Sequence, residues 1–370
     1  MDVGLFHDNL IYRGGAERII LSLSSMFDAE LNTSGFMQSL FSDWDTSRVL
    51  DIGNTTSRVS GIFGCGRMGF HSVFRVGYLE TALRFHLLRG RRSYGVNIFS
   101  GFYSIFSALE DGFNMWYCNT PNRTLYDLRD SVYAGLNPLA RPLWDAYSKV
   151  FYSRDQRVVR ECMDVVIANS RNVSERVRRY YGLESEVVYP PVSAGKYVFR
   201  GFGDFFLTVN RLIPAKRVDL MVRAFIEMPD KKLVVAGDGP QMSYLRGLAR
   251  DSPNISFLGN VDDGRLLRLY GDCLATIYLP VQEDFGFIPI EGNAAGKPCI
   301  SVDEGGCRET VLPGKTGFFI EPTVGALVEQ VRSMDERTVS PLRDDCVSWA
   351  RGFDDSVFKQ KISDLIEKYR

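Results

Sequence analysis

The sequence predicts an α/β protein with parallel sheets, organised as two domains. Three observations carry this. Short apolar runs alternate with helical patterns along most of the chain, as in strands joined by helical crossovers. Its 370 residues exceed the ~250–300 at which a single core stops growing. Near the middle stands Tyr189-Pro190-Pro191-Val192-Ser193, trailed by Gly195, Gly201 and Gly203. Two prolines cannot continue a ladder, and the glycines loosen the chain after them, which marks an interdomain linker. A surface loop inside one domain is the other reading, but a linker leaves two parts of ordinary domain size. The domains are placed at 1–190 and 191–353, with a final segment at 354–370.

Val3-Gly4-Leu5-Phe6 reads as the first strand, and Ala16 to Phe27 as the helix after a glycine-containing turn. Further strands in the first half are expected at Val96–Phe99, Met115–Cys118 and Val165–Ala168. The second half is more regular, with strands at Phe205–Val209, Leu233–Ala236, Ile255–Leu258, Ala275–Leu279, Cys299–Val302 and Phe318–Ile320. Helical segments fit between nearly all of them, so this half is read as a Rossmann-like domain. A last helix runs from Asp354 to Tyr369.

The composition is that of a soluble globular enzyme, 45% hydrophobic and 24% charged. A formal net charge of −1 disfavours wholesale binding to nucleic acid. No apolar run approaches the ~18–20 residues of a membrane span. Asp2, His7 and Asp8 interrupt any secretory signal at the start. Seven scattered cysteines, without a CxxC pair, speak against a disulfide framework or zinc ribbon and for a reducing cytoplasm. Within Arg67 to Arg92, six arginines stand against a single Glu80, interleaved with aromatic residues. Such a segment can lie on an anionic membrane surface or receive a phosphate-bearing acceptor. It can equally be a solvated amphipathic helix pair.

Three stretches could carry chemistry. In Arg13-Gly14-Gly15-Ala16-Glu17-Arg18 a strand gives way to two glycines and a helix start, whose amides can hold an anion. Arg211 and Lys216 follow a buried strand, where α/β proteins keep their ligand crevice. A guanidinium fork and a compact ammonium together suit a diphosphate, whereas the neighbouring Arg217 is expected to point to solvent. In Glu283-Asp284-Phe285-Gly286-Phe287-Ile288-Pro289-Ile290-Glu291 two glutamates flank the start of a helix that Pro289 can help to open. Glu283 lies in the loop and Glu291 about one turn in, so both can face one crevice, with the amides of Phe285 to Phe287 between them.

Together, Gly14-Gly15-Ala16-Glu17-Arg18, Arg211 with Lys216, and Glu283 with Glu291 resemble the retaining glycosyltransferases of family 4. Supporting matches are Val165-Val166-Ile167-Ala168-Asn169-Ser170, Tyr189-Pro190-Pro191-Val192, Gly237-Asp238-Gly239-Pro240 and Gly305-Gly306-Cys307-Arg308-Glu309-Thr310-Val311. The resemblance spans nearly the whole chain in order. It implies the GT-B fold, two Rossmann-like domains facing across a cleft, with the last helix crossing back to the first domain.

The resemblance also implies roles. Arg211 and Lys216 would neutralise the donor's diphosphate, helped by the amides of Gly14 and Gly15. Glu291 would hold the ribose and Glu283 the hydroxyls of the donor sugar. The amides around Phe285, Gly286 and Phe287 would contact the sugar and β-phosphate, and Asp238 and Gly239 would border the base. The donor would be a nucleotide sugar, GDP-mannose first and a UDP-hexose second, and the acceptor a glycan or lipid-linked acceptor. No cofactor is implied, and no metal. The protein would work in the cytoplasm or peripherally at the cytoplasmic face of a membrane.

One departure stands at Tyr117-Cys118-Asn119-Thr120-Pro121-Asn122-Arg123, where relatives read His-Thr-Pro. Asn119 replaces the histidine that positions the donor sugar, and it can keep a hydrogen bond but carry no charge. Thr120 and Arg123 remain candidates for acceptor or phosphate contacts. Asp43-Trp44-Asp45 has the form of a metal-and-diphosphate signature, but it stands far in sequence from the cation pair. His7, His71 and His86 show no metal spacing, and His7 is read as a turn residue that can line the crevice. A nucleotide-sugar epimerase or phosphorylase on this fold, or a non-catalytic partner of a glycosyltransferase complex, are the alternatives. Epimerisation needs no acceptor, and donor hydrolysis would exclude a purely structural role.

Overall fold

A computed structural model describes residues 2–55, 76–92 and 94–370. The chain divides into two compact units, Met1–Val188 with Lys359–Arg370, and Tyr189–Phe358.

In the first unit, β1 (Val3–His7), β2 (Glu30–Thr33), β3 (Val49–Asp51), β4 (Val96–Ser100), β5 (Asn114–Cys118), β6 (Val165–Ala168) and β7 (Glu186–Val187) form a parallel sheet ordered β3-β2-β1-β4-β5-β6-β7. β1, β4, β5 and β6 are buried at every position, because helices cover both faces of such a sheet. That is why they read as continuous apolar runs. β2, β3 and β7 escaped the sequence reading. β2 carries only Leu31 as an apolar residue, and the buried amide of Asn32 is held by the Leu5 carbonyl and the Tyr94 hydroxyl. β3 and β7 are short strands at the sheet's two edges.

In the second unit, β8 (Phe205–Val209), β9 (Lys232–Ala236), β10 (Ile255–Gly259), β11 (Ala275–Tyr278), β12 (Cys299–Val302) and β13 (Gly317–Ile320) form a parallel sheet ordered β10-β9-β8-β11-β12-β13. The chain builds outward from β8 to β10 and then returns to lay β11 on the other side of β8. The order reverses there, so the loops leaving β8 and β11 diverge and open a crevice at their carboxyl ends. In the first unit the corresponding reversal lies between β1 and β4.

The linker is more firmly held than its composition suggests. Pro190, Pro191 and Val192 are buried, Val192 donates its amide to Phe353 O at 2.8 Å, and the Tyr189 ring lies 5.8 Å from Phe285 and 5.4 Å from Phe353. Gly203 does not loosen the chain. A Cβ there would meet Asp272 O at 2.3 Å, and the close approach is what requires glycine. The last helix, Asp355–Tyr369, fastens its end to β7, where Lys368 Nζ and Tyr369 OH both donate to Glu186 at 2.8 Å. No helix among the described residues is long and apolar enough to cross a membrane.

Candidate active site

The crevice of the second unit is built from loops laid backbone on backbone. Leu212 N donates to Asp238 O at 2.9 Å, and Gln241 N to Leu212 O at 3.0 Å. A Cβ on Gly237, at φ 112°, would lie 2.0 Å from Asn210 O, and one on Gly239 2.6 Å from Leu212 O. The Gly237-Asp238-Gly239 motif is therefore the condition for the β8 and β9 loops to touch. Asp238 turns its carboxylate onto the Gly239 amide at 2.7 Å. Arg211 stands exposed on the β8 loop.

Lys216 ends a short turn at Pro214–Lys216, which Val281 N ties to the β11 loop by a 2.8 Å bond to Ala215 O. That tie brings Lys216 Nζ to 2.5 Å from Glu283 Oε2 and 3.0 Å from the Tyr278 hydroxyl. Glu283 is held from behind by glycines. Gly306 N donates to its carbonyl at 2.8 Å, and a Cβ on Gly305, at φ 51°, would approach that carbonyl to 2.4 Å. Burial, reinforced by the Glu283 charge, raises the Tyr278 phenol well above its ordinary range, so it stays neutral.

The helix Phe287–Ala294 opens after Gly286, at φ 92°, and no side chain caps its first turn. Its start faces the same loop as Glu283, with oriented amides that suit a negative group. The Phe285 side chain is buried against Tyr189, Phe353 and Phe287, so only its backbone is available to a ligand. Glu291 is buried one turn into the helix, where Tyr270 OH donates to it at 2.6 Å. The cation and carboxylate expected on separate tasks, Lys216 and Glu283, are thus one ion pair.

Arg217 corrects the expectation that it points to solvent. Its φ is 49°, which turns the guanidinium inward to Glu304 Oε1 at 2.9 Å and to the carbonyls of Leu279 and Pro280. It clamps the β11 loop from below.

In the first unit, the Glu17 carboxylate folds back onto the Gly14 amide, half of a capping box. A Cβ on Gly14 would lie 2.7 Å from it. The anion at the Gly14–Gly15 helix start is therefore the chain's own glutamate. Burial raises its carboxyl, with a further push from Asp8. Asp8 accepts amides from Phe102, Tyr103 and Ser104 at 2.7, 2.9 and 2.8 Å, spanning the reversal between β1 and β4. His7 Nδ1 lies 2.9 Å from Ser100 O, and burial lowers its pKa to about 4. Asn119 donates to Ser100 Oγ at 2.9 Å. Thr120 accepts from Arg176 at 3.4 Å, and Arg123 forks onto Asp127, with a shortest approach of 2.8 Å.

Asp43 pairs with Arg13 at 2.5 Å and Asp45 caps Ser47 at 3.0 Å, so the two carboxylates of Asp43-Trp44-Asp45 serve different partners. His71 and the Arg67–Arg75 part of the basic segment lie outside the described residues. Of the rest, Arg84 is bound by Glu80, Arg92 by Glu30, and Arg89 lies 3.6 Å from Glu110. Tyr278, Tyr270 and Asp8 were missed. The usable signal was their place, at a strand end for Tyr278 and Asp8, and on the helix before β11 for Tyr270.

A family model described as "Glycosyl transferases group 1" matches residues 195–352. The chain is 32% identical to the alpha-1,3/1,6-mannosyltransferase ALG2 of Dictyostelium discoideum, over 32% of this chain and 34% of that protein. It is 28% identical to a glycogen synthase of Mycobacterium tuberculosis, over 51% and 49%. It is 29% identical to the GDP-mannose-dependent alpha-(1-6)-phosphatidylinositol monomannoside mannosyltransferase of Mycolicibacterium smegmatis, over 33% and 36%. The chain thus spans between a third and a half of the length of these curated relatives. Among solved structures, Anabaena Alr3699/HepE in complex with UDP-glucose matches all of both chains at TM-score 0.71 and 15% identity. WaaG, a glycosyltransferase involved in lipopolysaccharide biosynthesis, matches 98% of this chain and 99% of its own at TM-score 0.72 and 13% identity. The family model is thus seated on the unit that holds Lys216, Glu283 and Glu291, and the chain has the GT-B fold of these solved structures from end to end.

Proposed function

We propose that the protein moves a hexose, mannose in the first instance, from a nucleotide sugar to a glycan or lipid-linked acceptor, with retention of configuration and without a metal ion. The observation that carries this reading is the meeting of Lys216 and Glu283 at the reversal of the second sheet, beside the open helix start at Gly286. A departing hexose leaves a nucleoside diphosphate whose charge must be met in a crevice of low dielectric. Lys216 and Arg211 supply that positive charge, and the amides of Gly286 and Phe287 a dipole aimed at the same group. Glu283 takes the sugar hydroxyls and Glu291 the ribose, while Asp238 and Gly239 border the base.

The first unit supplies the acceptor side through Thr120 and Arg123. An acceptor phosphate competes there with Asp127 for the Arg123 fork. Asn119, held by Ser100, keeps a hydrogen bond where relatives carry histidine, and Gly14 and Gly15 serve the donor phosphate when Glu17 yields the Gly14 amide. Attack comes on the face from which the diphosphate leaves, helped by the leaving phosphate itself. The Arg67–Arg92 segment brings the protein to an anionic cytoplasmic membrane surface, with its arginines shared between that surface and internal carboxylates.

Mannose is supported by the mannosyltransferase names of two relatives. A UDP-hexose is the second reading, supported by the UDP-glucose bound to Alr3699/HepE. A thermal-shift panel of GDP-, UDP-, ADP- and dTDP-sugars separates them, since a ligand of the native state raises its stability by mass action. Turnover of the stabilising donor should survive a chelator. Loss of turnover on chelation, or a product of inverted anomeric configuration by NMR, overturns the mechanism.

A further inference from the structure

We propose that Tyr278 is a positioning residue for Lys216, holding its ammonium on line for a diphosphate after Glu283 has turned to the donor sugar. This rests on the reading of the crevice as a nucleotide-sugar site. Among the described residues Lys216 has two hydrogen-bond acceptors, Glu283 at 2.5 Å and the Tyr278 hydroxyl at 3.0 Å, and they differ in kind. Glu283 is a half-buried side chain on a loop, next to Gln282 at φ 47°. Tyr278 ends β11 and is 2% exposed, with its carbonyl held by Ser301 Oγ at 2.9 Å. Its ring edge lies under the start of the Phe287–Ala294 helix, with Cε1 3.1 Å from where a Gly286 Cβ would stand. One partner can exchange while the other is built into the core.

Charge separates them further. A carboxylate that orients an ammonium also cancels it, and a cancelled cation has little left for a phosphate. A phenol kept neutral by burial and by the nearby carboxylate orients the ammonium through a lone pair and leaves its charge to the ligand. Lys216 sits on a flexible four-carbon stem that has to be ordered before it can bind. With Glu283 engaged by sugar hydroxyls, Tyr278 is the protein group that keeps that order. Its ring also ties the cation to the helix amides at Gly286, so the two anion-binding devices hold one spacing.

The test uses Tyr278→Phe in the full chain, which retains the ring and its packing under Gly286 and removes only the hydroxyl. Affinities of the nucleoside diphosphate sugars UDP-glucose and GDP-mannose, which engage Glu283, and of UMP and GMP are measured by calorimetry for wild type, Y278F and K216A. Y278F is expected to weaken the better-bound diphosphate about tenfold, the loss of one hydrogen bond to a charged group, and to leave the matching monophosphate within about twofold. Equal weakening of mono- and diphosphate marks a structural role and overturns the proposal. So does wild-type diphosphate affinity in Y278F with a large loss in K216A, an outcome that leaves the donor reading intact. Wild-type diphosphate affinity in K216A removes the donor reading itself, and this proposal with it.

Discussion

Lys216 and Glu283, 67 positions apart in the chain, close on one another at 2.5 Å in the second unit. The pair neutralises in the free protein two groups that the proposed reaction needs separately, one for phosphate and one for sugar. Both side chains remain about a fifth exposed, so a donor can reach them, and water screens their attraction enough for it to be exchanged.

Lys216→Ala and Arg211→Ala are each expected to lower kcat at least tenfold with the fold intact. Two unit charges ~4 Å apart interact by about 4 kcal/mol at an effective dielectric near 20, ample for that loss. Steady-state rates with the donor found by thermal shift, alongside circular dichroism melts, decide this. Near-wild-type turnover in either variant removes the mechanism.

Glu291 is buried and accepts the Tyr270 hydroxyl at 2.6 Å. Tyr270→Phe removes that bond from a buried carboxylate, at a cost of ~1–3 kcal/mol, which a melt reads as several degrees. If Glu291 holds the ribose, wild type binds UDP or GDP better than the 2′-deoxy analogue. Glu291→Gln should then reduce this preference, and an undiminished preference would free Glu291 from the ribose.

Gly305 and Gly314 both have positive φ, 51° and 74°, but only Gly305 is pressed against backbone, at the Glu283 carbonyl. Gly314→Ala should cost ~1–2 kcal/mol for the left-handed conformation alone. Gly305→Ala should cost more than that and also reduce turnover, because its methyl group displaces Glu283, the residue proposed to take the sugar hydroxyls. Equal melting temperatures and equal rates in the two variants would contradict the close packing.

Asp155 is buried beneath Tyr126 and Tyr181, whose hydroxyls donate to one of its oxygens at 2.5 and 2.7 Å. Burial outweighs those bonds and raises its pKa from 3.8 to about 6. The native state therefore binds this proton more tightly than the unfolded chain does. The resulting stability is present below pH ~3.8, is lost as pH rises through about 6, and stays lost at neutrality. Asp155→Asn keeps an acceptor without charge. It should melt above wild type at pH 7.5, with the gap closing toward pH 4 in a series of melts.

His7 titrates with the opposite sign. Burial lowers its pKa from 6.5 to about 4, so the native state resists a proton that the unfolded chain accepts. Its contribution is full above pH ~6.5 and lost as pH falls through about 4. His7→Gln should lose less stability than wild type between pH 6.5 and 4. A parallel decline in both proteins would rule out the buried neutral imidazole.

Much of the frame could be read along the chain. Val165–Ala168, Phe205–Val209 and Cys299–Val302 were legible to the residue, because strands buried on both faces are dominated by apolar residues. Glu30–Thr33 was illegible, since its buried Asn32 amide is satisfied by Leu5 and Tyr94, distant groups that no local pattern contains. Gly237, Gly239, Gly305 and Gly306 were visible as motifs, and the backbone carbonyls pressed against all four explain the motifs.

Order along the chain could tell that cations follow β8 and carboxylates follow β11, since strand periodicity and turn chemistry are local. It could not tell that Lys216 finds Glu283 or that Arg217 turns inward to Glu304, 87 positions away. Those outcomes depend on the strand reversal that sets the β8 and β11 loops side by side. They depend also on desolvation, which obliges each partly buried charge to take the nearest opposite partner that folding provides.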